Sequence, residues 1–224
     1  MFDFHTHSIF SDGALVPSEL VRRAVVRGYE AIAITDHVDF TNIEFVLTNL
    51  KKFELADMKD HAITVIRGVE LTHIPPAKLE KLVRKAKVLG AELVVVHGET
   101  LAEPVERGTN RAAVEIPAVD ILAHPGLITD EEAERAKENG IYLEVTSRKG
   151  HCLANGHVAA VACRVGAGIL LNTDAHGPED LITDELGARI LAGAGLTPEA
   201  VITVMEKNPR AVLQNLRTGR AQYV

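Results

Sequence analysis

Residues 93–98 read Leu93-Val94-Val95-Val96-His97-Gly98, an unbroken apolar run that ends in a histidine. Apolar residues without polar alternation are typical of a strand that is covered on both faces, as in the parallel sheets of α/β proteins. Similar runs rich in β-branched residues recur along the chain, and each predicts a strand. These runs lie at 2–4, 31–34, 63–69, 93–96, 121–123, 141–145 and 169–171.

Helical patterns fill the spaces between the predicted strands. Pro17 can open a helix at its first position, and Gly28 can end that helix. Asp130 and Asn208 are candidate N-caps for later helices, because their short side chains can accept a hydrogen bond from the first turn. The helical stretches begin near residues 17, 79, 130, 157, 186, 198 and 209.

The alternation of seven strands with helices predicts an α/β fold, and seven β/α units favour a barrel over an open, doubly wound sheet. The chain has 224 residues, enough for one sizeable core. Neither a linker nor a short repeat interrupts it, so we expect a single domain over residues 1–224.

Composition narrows the function classes. The formal net charge is −7, and the basic stretch at 78–87 alternates with apolar residues like the solvated face of a helix, so we expect no long nucleic acid as a partner. No apolar run is long enough to cross a bilayer, and the first residues do not form a signal peptide. We therefore expect a cytoplasmic protein, with Cys152 and Cys163 as free thiols.

Side chains with metal-binding chemistry follow the carboxyl ends of the predicted strands. His5 and His7 flank Thr6, and residues two apart on a strand share a face, so both imidazoles can reach one ion. Asp174 and His176 repeat this spacing after the last strand. The other such residues are Asp12, His37, Glu70, His97 and His124.

The carboxyl ends of barrel strands converge on one face, so these six histidines and three carboxylates should share one small volume. Each alone has an ordinary explanation: Asp174 can cap a helix, and Asp12 with Gly13 forms a common turn. Together they would be costly to desolvate without cations. Divalent metal ions resolve that conflict, because imidazole and carboxylate are their usual ligands.

The ordered set of motifs resembles the PHP family, the polymerase and histidinol phosphatase superfamily. The resemblance runs from residue 3 to beyond residue 176. It implies a distorted seven-stranded β/α barrel that holds up to three divalent ions, with zinc, manganese and iron as candidates. The motifs are Phe4-His5-Thr6-His7-Ser8, Ser11-Asp12-Gly13, Ile34-Thr35-Asp36-His37, Gly68-Val69-Glu70, His97, Ala123-His124-Pro125 and Thr173-Asp174-Ala175-His176.

The family pattern also implies how the ligands are shared. Many relatives carry histidine at the position of Asp12, which leaves the identity of the metal open. Glu70 would bridge two ions. The pattern assigns His5, His7, Glu70 and Asp174 to one ion, Glu70, His97 and His124 to a second, and Asp12, His37 and His176 to a third.

The segment 146–150 is similar to that of the short, single-domain phosphatases of the family. We therefore expect hydrolysis of a small phosphate monoester, such as histidinol phosphate or a nucleotide, by a hydroxide that bridges two ions. Glu70 and Asp174 would be essential, and Arg148 is the candidate phosphate clamp, unless it only pairs with a nearby carboxylate. The alternatives are a nuclease acting on 3′ ends or short oligonucleotides, and a metal-bound domain that supports a partner without catalysis.

Other residues near the carboxyl ends of the predicted strands are candidates for roles beside the metal ligands. The polar loop 98–110 can select the substrate or merely connect two elements. His151 and His157 are candidate acids for the leaving group, while His61 and His73 have less claim to a role. Asp36 can either orient a ligand or hold a turn. The natural substrate and the oligomeric state stay open.

Overall fold

A computed structural model describes residues 1–57 and 63–218 of the chain. His61 lies outside the described residues. Strands and helices alternate along this part of the chain. The strands are β1 (Phe2–Thr6), β2 (Ala31–Ile34), β3 (His37–Val38), β4 (Thr64–Leu71), β5 (Leu93–His97), β6 (Ile121–Ala123), β7 (Tyr142–Thr146) and β8 (Ile169–Asn172).

The α-helices pack outside the strands and include two short ones. A 3₁₀ turn lies at His151–Ala154, and a π-helical turn lies at Thr203–Lys207. The helices are α1 (Pro17–Val26), α2 (Ile43–Asp57), α3 (Pro76–Val88), α4 (Thr109–Val114), α5 (Asp130–Glu138), α6 (Asn155–Val165), α7 (Asp184–Gly193), α8 (Pro198–Ile202) and α9 (Asn208–Thr218).

The strands form one parallel sheet in the order β1-β2-β4-β5-β6-β7-β8. β3 also pairs with β4, so that β2 and β3 are two halves of one strand interrupted at Thr35 and Asp36. The sheet curls until its first and last strands meet, where Thr6 bridges Ala175 and the His7 amide donates to the Ala175 carbonyl at 2.8 Å. The predicted seven-stranded barrel is therefore confirmed, and the open sheet is not formed.

Both faces of the sheet are buried, as the unbroken apolar runs predict. Alternate residues of β5 belong to different apolar clusters: Leu93 and Val95 pack in a cluster that includes Val212 of α9, while Val94 and Val96 pack in the larger cluster with the other helices. His97 continues the face of Leu93 and Val95 at the carboxyl end of the strand. The barrel interior is thus apolar along most of the strand and becomes polar at the carboxyl end.

Two predicted helix caps are wrong. Thr129 caps α5 instead of Asp130, because its hydroxyl accepts from the Glu132 amide while the Glu132 carboxylate accepts from the Thr129 amide, a capping box. Asn208 has helical dihedral angles, since the chain runs from α8 into α9 through the π-helical turn. Its side chain instead donates to the Ile169 carbonyl of β8 at 2.8 Å.

The structure bears on two further expectations, the state of the cysteines and the presence of membrane-spanning helices. Cys152 and Cys163 are free thiols, as predicted. Among the helices of the described residues, none is long and apolar enough to span a bilayer.

Candidate metal centre

The nine predicted metal ligands form one connected cluster at the carboxyl ends of the strands. We call these nine residues the ligand cluster. Most of them are buried, whereas Asp12 lies at the solvent-facing side with more than half of its side chain exposed. Each contacts at least one other member through a short contact between side-chain nitrogen and oxygen atoms or between imidazole rings.

Glu70 lies at the middle of the ligand cluster and is fully buried. Its Oε1 atom is 3.3 Å from Nε2 of His5 and 3.7 Å from Nε2 of His124. Its Oε2 atom is 2.6 Å from Nδ1 of His37 and 3.7 Å from Nε2 of His7. The two carboxylate oxygens therefore face different imidazoles, an arrangement that suits a bridging ligand.

Asp174 closes the ligand cluster from the last strand. Its Oδ1 atom is 3.0 Å from Nε2 of His7 and 3.7 Å from Nε2 of His5. Its Oδ2 atom is 3.8 Å from Nε2 of His124. Asp174 and His124 both have positive φ angles, +53° and +28°, which are uncommon for residues with a side chain. Such backbone strain concentrates at functional sites, where surrounding contacts hold it in place.

Asp12 reaches the ligand cluster from the loop after β1. Its Oδ1 atom is 3.6 Å from Nε2 of His37, and its Oδ2 atom is 3.2 Å from Nε2 of His176. Glycine is needed at Gly13, because a Cβ atom there would lie 2.3 Å from the His7 carbonyl oxygen. The loop can therefore fold back closely enough for Asp12 to face both rings.

Asp36 holds this loop in place. Its carboxylate accepts hydrogen bonds from the Ser8 amide at 2.8 Å and the Ser8 hydroxyl at 2.7 Å. It also accepts from the Ser11 amide at 3.1 Å and the Ser11 hydroxyl at 2.8 Å. Of the two roles that the sequence left open for Asp36, the structure shows the one in the turn.

Several imidazoles are oriented by a hydrogen bond at Nδ1, which leaves Nε2 facing the ligand cluster. Nδ1 of His5 lies 2.8 Å from Glu144, that of His176 lies 2.9 Å from the Asp174 carbonyl, and that of His97 lies 3.1 Å from the Gly98 carbonyl. Such partners fix the tautomer of metal-binding histidines. These rings are thus prepared to offer a lone pair at Nε2.

The pKa values show how strongly these groups depend on one another. Burial lowers the pKa of His7 to about 4. Burial also opposes the charge on His37, but the Glu70 carboxylate outweighs it and raises the pKa of His37 to about 9. Burial alone would raise the pKa values of Glu70 and Asp174, yet the nearby imidazoles hold both well below the usual range. Both carboxylates are therefore ionised at neutral pH.

The buried donors test whether metal ions fit this site. Within the described part of the chain, eight buried side-chain atoms lack a hydrogen-bond partner, and seven of them belong to the ligand cluster. Buried polar atoms without partners are costly, and native proteins seldom keep so many in one place. Imidazole and carboxylate donors fit divalent ions. The unpaired atoms are Nε2 of His5, both ring nitrogens of His7 and His124, Oε1 of Glu70, Oδ1 of Asp174 and Oε1 of Glu144.

The sequence reasoning missed Glu144. The strand predicted at 141–145 contains none of the nine predicted ligands, but Oε2 of Glu144 contacts Nδ1 of His5 and accepts from Asn172 Nδ2, both at 2.8 Å. A carboxylate inside an otherwise apolar strand was the available signal, because a buried charge needs a partner.

Of the other histidines that the structure describes, two adjoin the ligand cluster and one lies away from it. The His151 ring stacks on His124 with centroids 4.2 Å apart, and its Nδ1 lies 2.7 Å from the Thr100 hydroxyl. His73 lies with its ring centroid 5.2 Å from that of His97. His157 instead forms a hydrogen bond to the Ile128 carbonyl at 2.7 Å. His151 and His73 therefore adjoin the ligand cluster.

Arg148 lies at the edge of the ligand cluster, with 29% of its side chain exposed. Its Nη1 atom donates to Oδ2 of Asp180 at 3.2 Å, and its Nε atom is 4.0 Å from Oδ2 of Asp174. The same Asp180 oxygen accepts from the amides of His176 and Gly177. The guanidinium thus reaches the site while held by a carboxylate.

Fold and site together define a parallel β/α-barrel protein with a candidate centre for several divalent ions. A family model described as the PHP domain matches residues 3–97. An uncharacterized protein of Methanocaldococcus jannaschii is 52% identical over 96% of this chain and 99% of its own length. The chain belongs to the PHP family.

Two further relatives carry functional names. Ribonuclease P protein component 3 of Methanosarcina mazei is 34% identical over 66% of this chain, and the match spans 56% of that protein. A probable phosphatase of Caldanaerobacter subterraneus subsp. tengcongensis is 28% identical over 97% of this chain and 92% of its own length.

Solved structures share the fold. A chain of archaeal ribonuclease P, determined with mature tRNA, gives a TM-score of 0.68 at 16% identity and covers 99% of this chain and 96% of its own. Histidinol phosphate phosphatase from Lactococcus lactis, solved with zinc, L-histidinol and phosphate, gives 0.61 at 19% identity and covers 88% and 94%. These likenesses establish the barrel architecture.

Proposed function

We propose that this protein is a metal-dependent phosphoesterase that hydrolyses a small phosphate monoester. The observation that carries the proposal is the convergence of Glu70 and Asp174 on buried imidazoles whose nitrogen atoms lack hydrogen-bond partners. The nine residues of the ligand cluster would hold up to three divalent ions. Zinc, manganese and iron all suit these donors.

When bound, the ions would supply Lewis-acid stabilisation of negative charge and activation of a water nucleophile. Glu70 and Asp174 would supply the carboxylate ligands at the middle of the site, because each presents its two oxygens to different imidazoles. Glu144 would hold the His5 ring with Nε2 facing inward. These groups position ligands and carry the negative charge of the site.

Charge supports an anionic substrate despite the net charge of −7. Three divalent ions bring about +6, and the carboxylates around the site, those of Glu103 and Glu144 included, return at most about −5, so the local field would be positive. Arg148 adds a cation at the edge. Its guanidinium would release the hydrogen bond to Asp180 and donate instead to a phosphoryl oxygen of the substrate.

The leaving group needs a proton, and His151 is poorly suited to supply it. Burial lowers the pKa of His151, so that the ring is neutral at pH 7. A nearby cation would lower that pKa further. His151 therefore suits the role of a ligand or hydrogen-bond acceptor better than that of a general acid.

A second candidate function is membership of an RNA-processing assembly. It is favoured by the similarity to ribonuclease P protein component 3 of Methanosarcina mazei. In that case the barrel would serve as a binding surface for protein or RNA. The set of nine side chains with metal-binding chemistry favours the hydrolase. A purely structural role does not require buried polar atoms that lack hydrogen-bond partners.

A phosphate-release screen on metal-loaded protein tests the proposal. The substrates are phosphorylated metabolites, nucleotides and short oligonucleotides, and the variants are Glu70→Gln and the exposed control Glu134→Gln. Release of phosphate from monoesters by wild type and Glu134→Gln, with loss in Glu70→Gln, supports the proposal. Shortening of oligonucleotides without monoester turnover would identify a nuclease. A protein that is inert with its metals bound and that co-purifies with RNA would favour the second candidate.

A further inference from the structure

A second group of side chains with metal-binding chemistry lies beside the ligand cluster, and its carboxylate comes from the segment after β5. We call residues 98–108 the β5 loop. From this loop Glu103 extends toward the mouth, and its Oε2 atom lies 3.2 Å from Nε2 of His97 and 3.3 Å from Nε2 of His73. Its Oε1 atom lies 3.4 Å from Nε2 of His151. One carboxylate therefore faces three imidazole nitrogens.

The β5 loop has its own hydrogen bonds that determine where Glu103 lies. Oε1 of Glu99 accepts from the Gly108 and Asn110 amides at 2.9 and 3.0 Å, which ties the two ends of the loop together. The Thr100 hydroxyl lies 2.7 Å from Nδ1 of His151. The loop is thus fastened at its base and to one of the imidazoles that Glu103 faces.

The orientation of the rings favours a cation beside Glu103. Nδ1 of His97 is already bonded to the Gly98 carbonyl, so Nε2 is the ring nitrogen that faces the Glu103 carboxylate. At 3.2 Å these two atoms need a cation between them, which is either a proton or a metal ion that both can bind. One donor atom each from His73, His97 and Glu103 lies within 4.8 Å of the others, as ligands of one ion would.

The backbone at His73 adds an independent observation. Its φ angle is +52°, in the left-handed region that a residue with a side chain rarely adopts. Asparagine or glycine would adopt this conformation at lower cost, so the backbone conformation alone does not account for a histidine at this position. The strain directs an imidazole toward His97 and Glu103, which suits a ligand.

We propose that Glu103 and His73 bind, together with His97, one of the divalent ions of this centre, and that this ion fastens the β5 loop over the mouth. The inference rests on the metal centre of the proposed function and not on phosphatase activity. His97 shares its predicted ion with Glu70 and His124, so Glu103 and His73 would complete the coordination of that ion with donors that suit zinc or a similar metal. Glu103 and His73 are 40% and 42% exposed, so these two ligands would lie on its solvent-facing side.

The test uses zinc binding and hydrogen exchange on the full-length protein. Glu103→Gln keeps the shape of the side chain and removes its charge, and His73→Asn keeps a residue that tolerates the left-handed backbone. Glu106→Gln, an exposed position on the same loop, is the matched control. Zinc content is measured by elemental analysis after dialysis at graded free zinc, and amide exchange of the β5 loop is measured with and without zinc.

We expect both variants to bind one ion at least about tenfold more weakly than wild type, with the other ions retained. Zinc should protect the β5 loop from exchange in wild type and Glu106→Gln but not in Glu103→Gln. Equal zinc affinities in all four proteins, or a wild-type loop that zinc leaves unprotected, would overturn the inference. A wild type without any zinc would overturn it together with the metal centre, whereas loss of one ion from a catalytically inert protein would uphold it and reject only the hydrolase.

Discussion

Nδ1 of His5 lies 2.8 Å from Oε2 of Glu144, and both side chains are fully buried. The same carboxylate oxygen accepts from Asn172 Nδ2, so the ring of a residue on β1 is positioned by residues on β7 and β8. A predicted ligand on the first strand is thus oriented by side chains on the last two strands.

Replacing Glu144 should therefore weaken metal binding without adding or removing a ligand. In Glu144→Gln the amide bonds Nδ1 of His5 less strongly, and we expect about 10- to 100-fold weaker binding of the ion at His5. Competition with a chelating indicator measures this. The exposed variant Glu134→Gln should match wild type, and equal affinities in all three proteins would show that Glu144 does not orient His5.

Replacing Glu70 should cause the largest loss, because its two oxygens face two halves of the ligand cluster. In Glu70→Gln we expect metal content to fall by two ions and phosphate release to fall by at least about a hundredfold. Circular dichroism should show an intact barrel, since the substitution conserves volume. A variant that retains every ion would exclude Glu70 as a bridge.

Arg148 is expected to affect substrate affinity more than turnover. Arg148→Ala removes the guanidinium that would bind a phosphoryl oxygen, whereas Arg148→Lys keeps the charge without the bidentate geometry. We expect KM for a phosphate monoester to rise about tenfold or more in Arg148→Ala and by less in Arg148→Lys. The bound metal should stay unchanged in both. Identical KM values would mean that Arg148 serves only to pair with Asp180.

Metal binding should release protons. The Glu70 carboxylate raises the pKa of His37 to about 9, so metal-free protein holds a proton there at pH 7 that an ion must displace. Affinity should rise about tenfold per pH unit between about pH 6.5 and 8. Calorimetry in two buffers of different ionisation enthalpy measures the proton release, and a titration without any release would contradict this assignment.

The same pKa shift makes the metal-free fold sensitive to base. Because the pKa of His37 is higher in the folded than in the unfolded protein, its proton stabilises the fold fully below the ordinary value of 6.5. That contribution is lost as the pH rises through about 9. Denaturant titrations of metal-free protein at several pH values should therefore show a lower free energy of unfolding at alkaline pH.

Asp36 should matter for stability and for the ion near Asp12. Asp36→Ala leaves the Ser8 amide and hydroxyl without their acceptor, which costs about 1–3 kcal/mol in the free energy of unfolding. The loop that carries Asp12 also loses its anchor, so one ion should bind more weakly. Denaturant titration and metal content measure the two effects. Glu134→Ala, on the exposed face of α5, should change neither.

The barrel was predictable because its signals are local. The run from Leu93 to Val96 has no polar residue and is rich in valine, which is typical of a strand covered on both faces. Residues that depend on distant partners were harder to recognise. Glu144 has a role only because the barrel brings β1 beside β7 and β8, and Glu103 faces His73 only through the path of the β5 loop. Neither pairing leaves a spacing that sequence alone reveals.

The bridge between Thr6 and Ala175 also has a consequence for biosynthesis. The ribosome produces β1 first, yet its neighbour at the seam emerges some 170 residues later. A nascent chain therefore carries His5 and His7 for most of translation without Asp174 beside them. The nine residues of the ligand cluster can meet only after Asp174 and His176 have left the ribosome, so a complete set of ligands cannot guide the earlier steps of synthesis.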